Sequence, residues 1–387
     1  MGPPPCDAGR GPARPPGPRA QAAAPVAGPA APRAGPVAAR HLEAGAARAP
    51  VAPRPDRGER AMTLGQALAS GRTGNLDTLR LVLAASVVVS HAWPLALGPG
   101  TAEPLSALTG HALGGWAVGL FFFLSGLLVT ASAERRSPAG FWAARARRIV
   151  PGLGVALLAT LGLAFACGAT AGPAESAAWF LRALTLVSIE HRLTGAFAAN
   201  PYPLVLNGPL WSLFHEVAAY ALCLMFVRLG GARRPRAVAA LVVLSALAAL
   251  AAESLPGRAA TFAPLFAAFA LGMAAHVFRD RLALRPGVAL TGLPLVGLGL
   301  WPVSVAVLGH AALVAALRAP ERRLTGDYSY GVYIYGWPVA QTVVHLMPGI
   351  GPAALAAVSL LATLPLAAAS WDLVERPTLT RRRRAAA

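Results

Sequence analysis

The sequence predicts an all-α, polytopic integral membrane bundle of about ten transmembrane helices, with both termini cytoplasmic. Three observations carry that expectation. Only 13% of the 387 residues are charged and 56% are apolar, against roughly 25% charged in an ordinary soluble domain. Stretches of about 18 to 20 residues almost free of charge recur along the chain, the length needed to cross a hydrocarbon core of ~30 Å. The basic residues are all arginine, and most lie in short runs between those stretches.

The elements follow in order. Residues 1–61 are dominated by Pro, Ala, Gly and Arg without apolar periodicity. Such a segment buries too little surface to offset its ordering entropy, so a disordered tail is expected. It contains no continuous apolar run of the signal-peptide kind. Met62 is an alternative start, in which case the preceding residues are not translated. The transmembrane domain then occupies 62–380, and a basic cytoplasmic tail occupies 381–387. Within the domain, hydrophobic spans are expected near 78–97, 115–133, 150–168, 210–228, 237–254, 262–278, 286–300, 302–318, 328–347 and 353–373. Only Trp301-Pro302 separates the seventh from the eighth. The stretch 178–192, within the long connection 169–209, reads as amphipathic and is expected along the membrane surface or as a re-entrant helix.

Arginine placement sets the orientation. With the tail inside, the inside loops hold Arg135, Arg136, Arg145, Arg147 and Arg148, then Arg233, Arg234 and Arg236, Arg279, Arg281 and Arg285, Arg318, Arg322 and Arg323, and finally Arg381–Arg384. The outside loops hold Arg182, Arg192 and Arg258. That asymmetry is the positive-inside pattern. It also accounts for the net charge of +18 without nucleic acid as a partner, and makes the lipid bilayer the partner instead. Cys6, Cys167 and Cys223 are scattered, with neither metal spacing nor a disulfide framework.

The chemistry starts in the first span, LDTLRLVLAASVVVSHAWPLALG. Arg80 and His91 are eleven residues apart, about 20° past three full turns, so both point the same way about 16 Å apart. Asp77 stands at helical spacing to pair with Arg80. Alone, Arg80 reads as a residue snorkelling to the headgroups and His91 as a helix–helix hydrogen-bond donor. Sharing a face, they also fit a pathway through the membrane. Gly115 and Gly119 in the second span form a small-xxx-small pair for close helix approach, and Ser125 follows them. Arg145 and Arg148 fall i, i+3 on a short helix expected to end at Pro151. They read either as topology signals or as a guanidinium clamp for phosphate. In NGPLWSLFHEVAAY, Glu216 sits beside His215 about a turn inside Trp211. A carboxylate there needs a partner, and His91 is the candidate, since such a pair would tune the imidazole as a base. DYSYGVYIYGWPVAQTVVH carries Tyr333 and Trp337 in a dense aromatic run, which suits an interfacial belt or a sugar platform. Glu375 is expected to pair with Arg376.

These blocks, in this order, resemble the membrane acyltransferase family 3, the bacterial transmembrane O-acyltransferases of polysaccharides and related substrates. The resemblance covers about residues 75–380: LDTLR with His91, VGLFFFLSGLL, FWAARARRIVP with its Arg-x-x-Arg, LWSLFHE, SYGVYIYGWPV and LVERP. It implies an enzyme of a bacterial cytoplasmic (inner) membrane that moves an acyl group, acetyl or succinyl, to a hydroxyl of a glycan or glycolipid. The donor is cytoplasmic acyl-CoA, with no permanently bound cofactor and no metal. By the same resemblance His91, Glu216 and Arg80 are catalytic, and Arg145 and Arg148 hold the coenzyme A phosphates. Ser125, Trp211, Tyr333 and Trp337 line the substrate. Gly336 stands where many members have His before Trp-Pro. The chain ends soon after the tenth span, so the membrane domain is expected to complete the transfer. A proton-coupled transporter or flippase for a lipid-linked sugar, with Arg80, His91 and Glu216 as its relay, is the competing expectation.

Overall fold

In the computed structural model, residues 62–71, 74–186, 192–322 and 324–384 are described, with side chains described through Thr380. The tail expected over 1–61 and the last residues, 385–387, lie outside them. The described chain is helical, with two isolated bridges and no strand among the described residues. The helices are α1 (Leu64–Ala69), α2 (Gly74–Leu97), α3 (Pro104–Thr109), α4 (Leu113–Arg135), α5 (Pro138–Ala166), α6 (Pro173–Thr185), α7 (Trp211–Arg228), α8 (Pro235–Leu250), α9 (Arg258–Val277), α10 (Pro286–Gly292), α11 (Trp301–Arg318), α12 (Ser329–Leu346), α13 (Pro352–Ser370) and α14 (Arg376–Arg384).

Among the described residues, seven stretches are long and apolar enough to cross a membrane: α2, α4, α5, α7 with its leading turn, α9, α11, and α13 running on to Thr380. The other three expected spans differ. Helix α8 has 16 residues. The expected span at 286–300 is instead α10 followed by a 3₁₀ segment, Leu293–Leu298, that ends at Gly299 with φ +68°. Pro294 and the glycines at 292, 297 and 299 interrupt the ladder there. Helix α12 has 18 residues, of which 15 are buried. Its tyrosines, Trp337 and Gln341 suit a helix enclosed by protein more than one facing lipid.

Two glycines allow the closest crossing in the bundle. A Cβ on Gly126 of α4 would stand 2.0 Å from the Phe269 carbonyl oxygen, and one on Gly272 of α9 would stand 1.9 Å from that of Phe123. Each glycine therefore seats the partner's backbone, and no side-chain movement can relieve an added methyl. Gly126→Ala or Gly272→Ala is expected to reduce folded protein in the membrane several-fold, consistent with overpacking costs of about 1–3 kcal/mol or more. Detergent-extracted yield and the size-exclusion profile read it, and wild-type behaviour of both variants would contradict the crossing. Of the pair expected to serve this purpose, only Gly119 receives another helix, α11, and it does so through a side chain. Gly115 faces open space, and Gly119 makes room for the ring of Trp301.

Helix α12 is held on two sides by the same device. Gly331 packs on Ala367 of α13, and Gly336 on Val88 of α2. A histidine at 336 would meet Val88, so the glycine here belongs to helix contact. The connection before α7 docks on α12 through polar bonds. Asn200 donates to the Gln341 side chain and carbonyl, both at 2.8 Å, Asn207 donates to Ile334 O at 2.8 Å, and Trp337 donates to Val205 O at 3.1 Å. Helix α6 covers part of the expected 178–192 element, burying Trp179 and Ala183; residues 187–191 lie outside the described set.

Helix α5 also runs on where a stop was expected, with Pro151 inside it. Within a membrane domain a proline's lost hydrogen bond is tolerated when neighbours satisfy the backbone. Two residues before Pro151, Tyr330 donates to the Ile149 carbonyl at 2.8 Å and ties α12 to α5.

Candidate active site

Two cavities are lined by different parts of α2, and a narrow throat shares lining residues with each. At one end lies a cavity of about 810 Å³ lined by Arg80, Arg136, Arg145, Arg147 and Arg148, with Glu216, Tyr220 and Tyr330. At the other lies one of about 650 Å³, whose lining includes His91, His111, Trp211, Trp301 and Tyr333. The throat, about 60 Å³, shares Arg80, Ser125, Glu216 and Tyr330 with the first cavity and Val118 and Tyr333 with the second. Helix α2 thus sends Arg80 to one cavity and His91 to the other, along the line that their eleven-residue spacing sets.

At the arginine-rich end the charges are organised around a residue that the sequence reading did not single out. Asp327, just before α12, accepts from Arg80 at 2.5 Å, from Arg148 at 2.6 Å and from Ser329 at 2.5 Å. Arg148 also donates to Glu375 at 3.2 Å, and Ser370 donates to the other oxygen of that carboxylate at 3.1 Å. A π-helical turn, Trp371–Glu375, joins α13 to α14; the extra residue in that turn re-aims the helix and leaves Glu375 buried. Burial pushes the Asp327 carboxyl up, but Arg80 and Arg148 together hold it below the usual carboxylate range.

Two expected pairings are replaced by this network. Arg80 takes Asp327 in place of Asp77. Glu375 takes Arg148, while Arg376 reaches Asp372 at 3.4 Å. The reason is common to both: pairs along one helix serve exposed charges, whereas a buried charge left without a partner is costly and is met here by a group from another helix. Arg148 consequently lines the cavity with its guanidinium already held by two carboxylates. Arg145 differs. Its guanidinium lies over the rings of Phe141 and Tyr220, at 5.9 and 5.6 Å, and its buried Nε has no hydrogen-bond partner.

Glu216 sits in the throat wall. Its Oε1 accepts from Ser125 at 3.1 Å and, at short range, from Tyr220 one turn further along α7. The expected hydrogen bond between Glu216 and His91 is not formed. Among the described residues His91 has no hydrogen-bond partner; its imidazole stands edge-on to Trp337, ring centroids 5.0 Å apart. Glu216 lines the throat and the first cavity, whereas His91 lines the second, and they share no cavity. His215 turns away from the site and ties α7 to α9, with Nε2 3.0 Å from Thr261 Oγ1. Tyr333 lines both the throat and the second cavity, fixed by Ser212 at 2.5 Å and by donation to Pro209 O at 2.9 Å. Trp211 lines the second cavity. Trp337 is buried behind His91 and braces it.

Comparison with known proteins decides the class. A model of the acyltransferase domain family matches residues 73–372, the stretch that supplies the lining of both cavities apart from Leu379. The chain belongs to that family. A "Nodulation protein 10" of Rhizobium leguminosarum bv. viciae is 30% identical over 366 residues, covering 80% of this chain and 94% of the relative. An "O-acetyl transferase" of Shigella phage Sf6 is 31% identical over 328 residues, covering 79% of this chain and 96% of the relative. No solved structure matches the chain at a significant level. The protein is therefore a multi-pass membrane acyltransferase. Sequence reasoning missed Asp327 and Tyr220. The second carried a usable signal, since it follows Glu216 by four residues and so shares its helix face.

Proposed function

We propose that this acyltransferase moves an acyl group, acetyl by analogy with the phage relative, from acyl-CoA to a hydroxyl of a cell-surface or exported glycan or glycolipid. The observation that carries the reading is the throat: an arginine-lined cavity and an aromatic-lined cavity meet there, one for each substrate. All ten apolar segments pass through a bacterial cytoplasmic membrane in this reading, with both termini inside. The arginine-rich end faces the cytoplasm, where the positive-inside pattern puts it and where acyl-CoA is available.

The residues then divide the work. Arg145, with Arg136 and Arg147, meets the coenzyme A phosphates, for which planar guanidinium forks are suited. The thioester enters the throat past Glu216, which Ser125 and Tyr220 keep oriented. His91, reached from the other cavity, accepts the proton of the acceptor hydroxyl as its oxygen bonds to the thioester carbon. The C–S bond breaks, and coenzyme A leaves as the thiol after protonation. An imidazole without other hydrogen-bond partners is also a competent acyl carrier, and acyl-His91 is the variant of the same reading.

Release of coenzyme A thiol by purified protein in liposomes, dependent on added acceptor glycan, tests the function. Sugar movement across the liposome without thiol release would make the chain a transporter. On the donor side, Arg145→Ala is expected to raise the KM for acyl-CoA about tenfold with little change in kcat, the loss of one charge-assisted contact. An unchanged KM would remove Arg145 from the donor site.

A further inference from the structure

We propose that the cavity containing His91 receives an uncharged or amine-bearing sugar and excludes anionic ones. The proposal rests on the acyltransferase reading above and names the acceptor class of that site.

The walls are built for a sugar ring. Trp301 is stacked on Trp116, centroids 5.0 Å apart with planes 12° from parallel, and its indole N–H donates to Pro264 O at 2.8 Å. Gly119 supplies the space its ring occupies. The imidazole of His111 stands edge-on to both rings, each at 4.9 Å. Trp301 is thus a fixed aromatic wall, and Trp211 adds another. Flat apolar surfaces with a few convergent polar groups are the common make-up of small-ligand cavities of this volume.

The charges are one-sided. Glu103 and Glu253 line this cavity, and no arginine does among the described residues. Glu103 is buried, and one of its oxygens accepts at short range from the Leu113 backbone N–H at the start of α4. Its other oxygen has no partner among the described residues. Burial holds the His111 imidazole below its ordinary range, so it is a neutral hydrogen-bonding group at pH 7 and not a counter-cation. The contrast with the five arginines of the opposite cavity is a division of labour. The donor's phosphates suit one end. At the other, a carboxylate or phosphate on the acceptor would meet two carboxylates and no cation in a partly desolvated space. An ammonium on the acceptor would be attracted by both the carboxylates and the indole faces.

The test uses purified full-length protein in detergent, with tryptophan fluorescence and thermal shift as binding readouts. The probes are methyl glycosides of neutral sugars, of amino sugars, and of the matched uronates. A saturable response to at least one neutral or amino sugar is expected, with its uronate at least about tenfold weaker. Glu253→Lys, an exposed change on a surface turn, is expected to narrow that ratio. Uronate binding as tight as the neutral sugar, no response to any sugar, or a ratio unaltered by Glu253→Lys would each overturn the assignment. Acceptor-dependent thiol release on the same preparation separates the two readings. Lost anion discrimination with release intact refutes the sugar class alone, and sugar binding without release refutes acyl transfer alone.

Discussion

Replacing His91 with alanine is expected to abolish acylation of the acceptor while leaving the protein in the membrane. The loss of a general base lowers a rate by about 10²–10⁴-fold, and the loss of an acyl carrier would remove it altogether. The substitution breaks no side-chain hydrogen bond among the described residues. Its structural cost is the edge-on contact with Trp337, worth about 0.5–1.5 kcal/mol, so the extracted yield and thermal midpoint should stay near wild type. Mass spectrometry of the surface glycan from a deletion strain complemented with the variant reads the effect in cells, and thiol release reads it in vitro. Retained acylation in H91A would eliminate both the base and the carrier. The two versions part in the absence of acceptor. A carrier takes up label from labelled acyl-CoA at position 91, and a base does not.

What the sequence made legible is what helix periodicity and charge can encode. The approximate positions of the apolar segments, and the shared line of Arg80 and His91, follow from local spacing along one helix. Partners across helices do not. Nothing in the spacing of Arg145 and Arg148 distinguishes the guanidinium that two carboxylates hold from the one left over aromatic rings; that depends on where Asp327 and Glu375 arrive from the far end of the chain. The Gly126–Gly272 crossing depends likewise on the register between two helices. Of the glycine pair with the familiar spacing, Gly115 lines a cavity and Gly119 admits a tryptophan of the neighbouring α11. Pro151 misled for a different reason: a proline usually ends a helix in water, but inside a membrane domain one lost backbone bond is tolerated, and α5 continues through it.

Asp327→Asn is expected to be the most damaging single change at the arginine-rich end, although it alters shape hardly at all. The carboxylate lies between Arg80 and Arg148, and its side chain is 14% exposed. An amide there leaves two guanidinium groups facing each other with Glu375 as the remaining acceptor for Arg148. Removing one partner of a buried ion pair costs roughly 3–5 kcal/mol. A fall of several degrees in the thermal midpoint is therefore expected, together with loss of acyl transfer, since Arg80 lines the throat. The pH dependence gives the decisive control. Because the folded pKa of Asp327 is held below its unfolded value of about 3.9, its contribution is complete above that unfolded value and is lost only as pH falls through the lower folded one. The midpoint difference between wild type and D327N should then stay flat from pH 5 to pH 9 and shrink only in stronger acid. A difference that closes between pH 5 and pH 7 would mean that the two arginines do not outweigh burial at this carboxylate, and the network would have to be redrawn around Glu375.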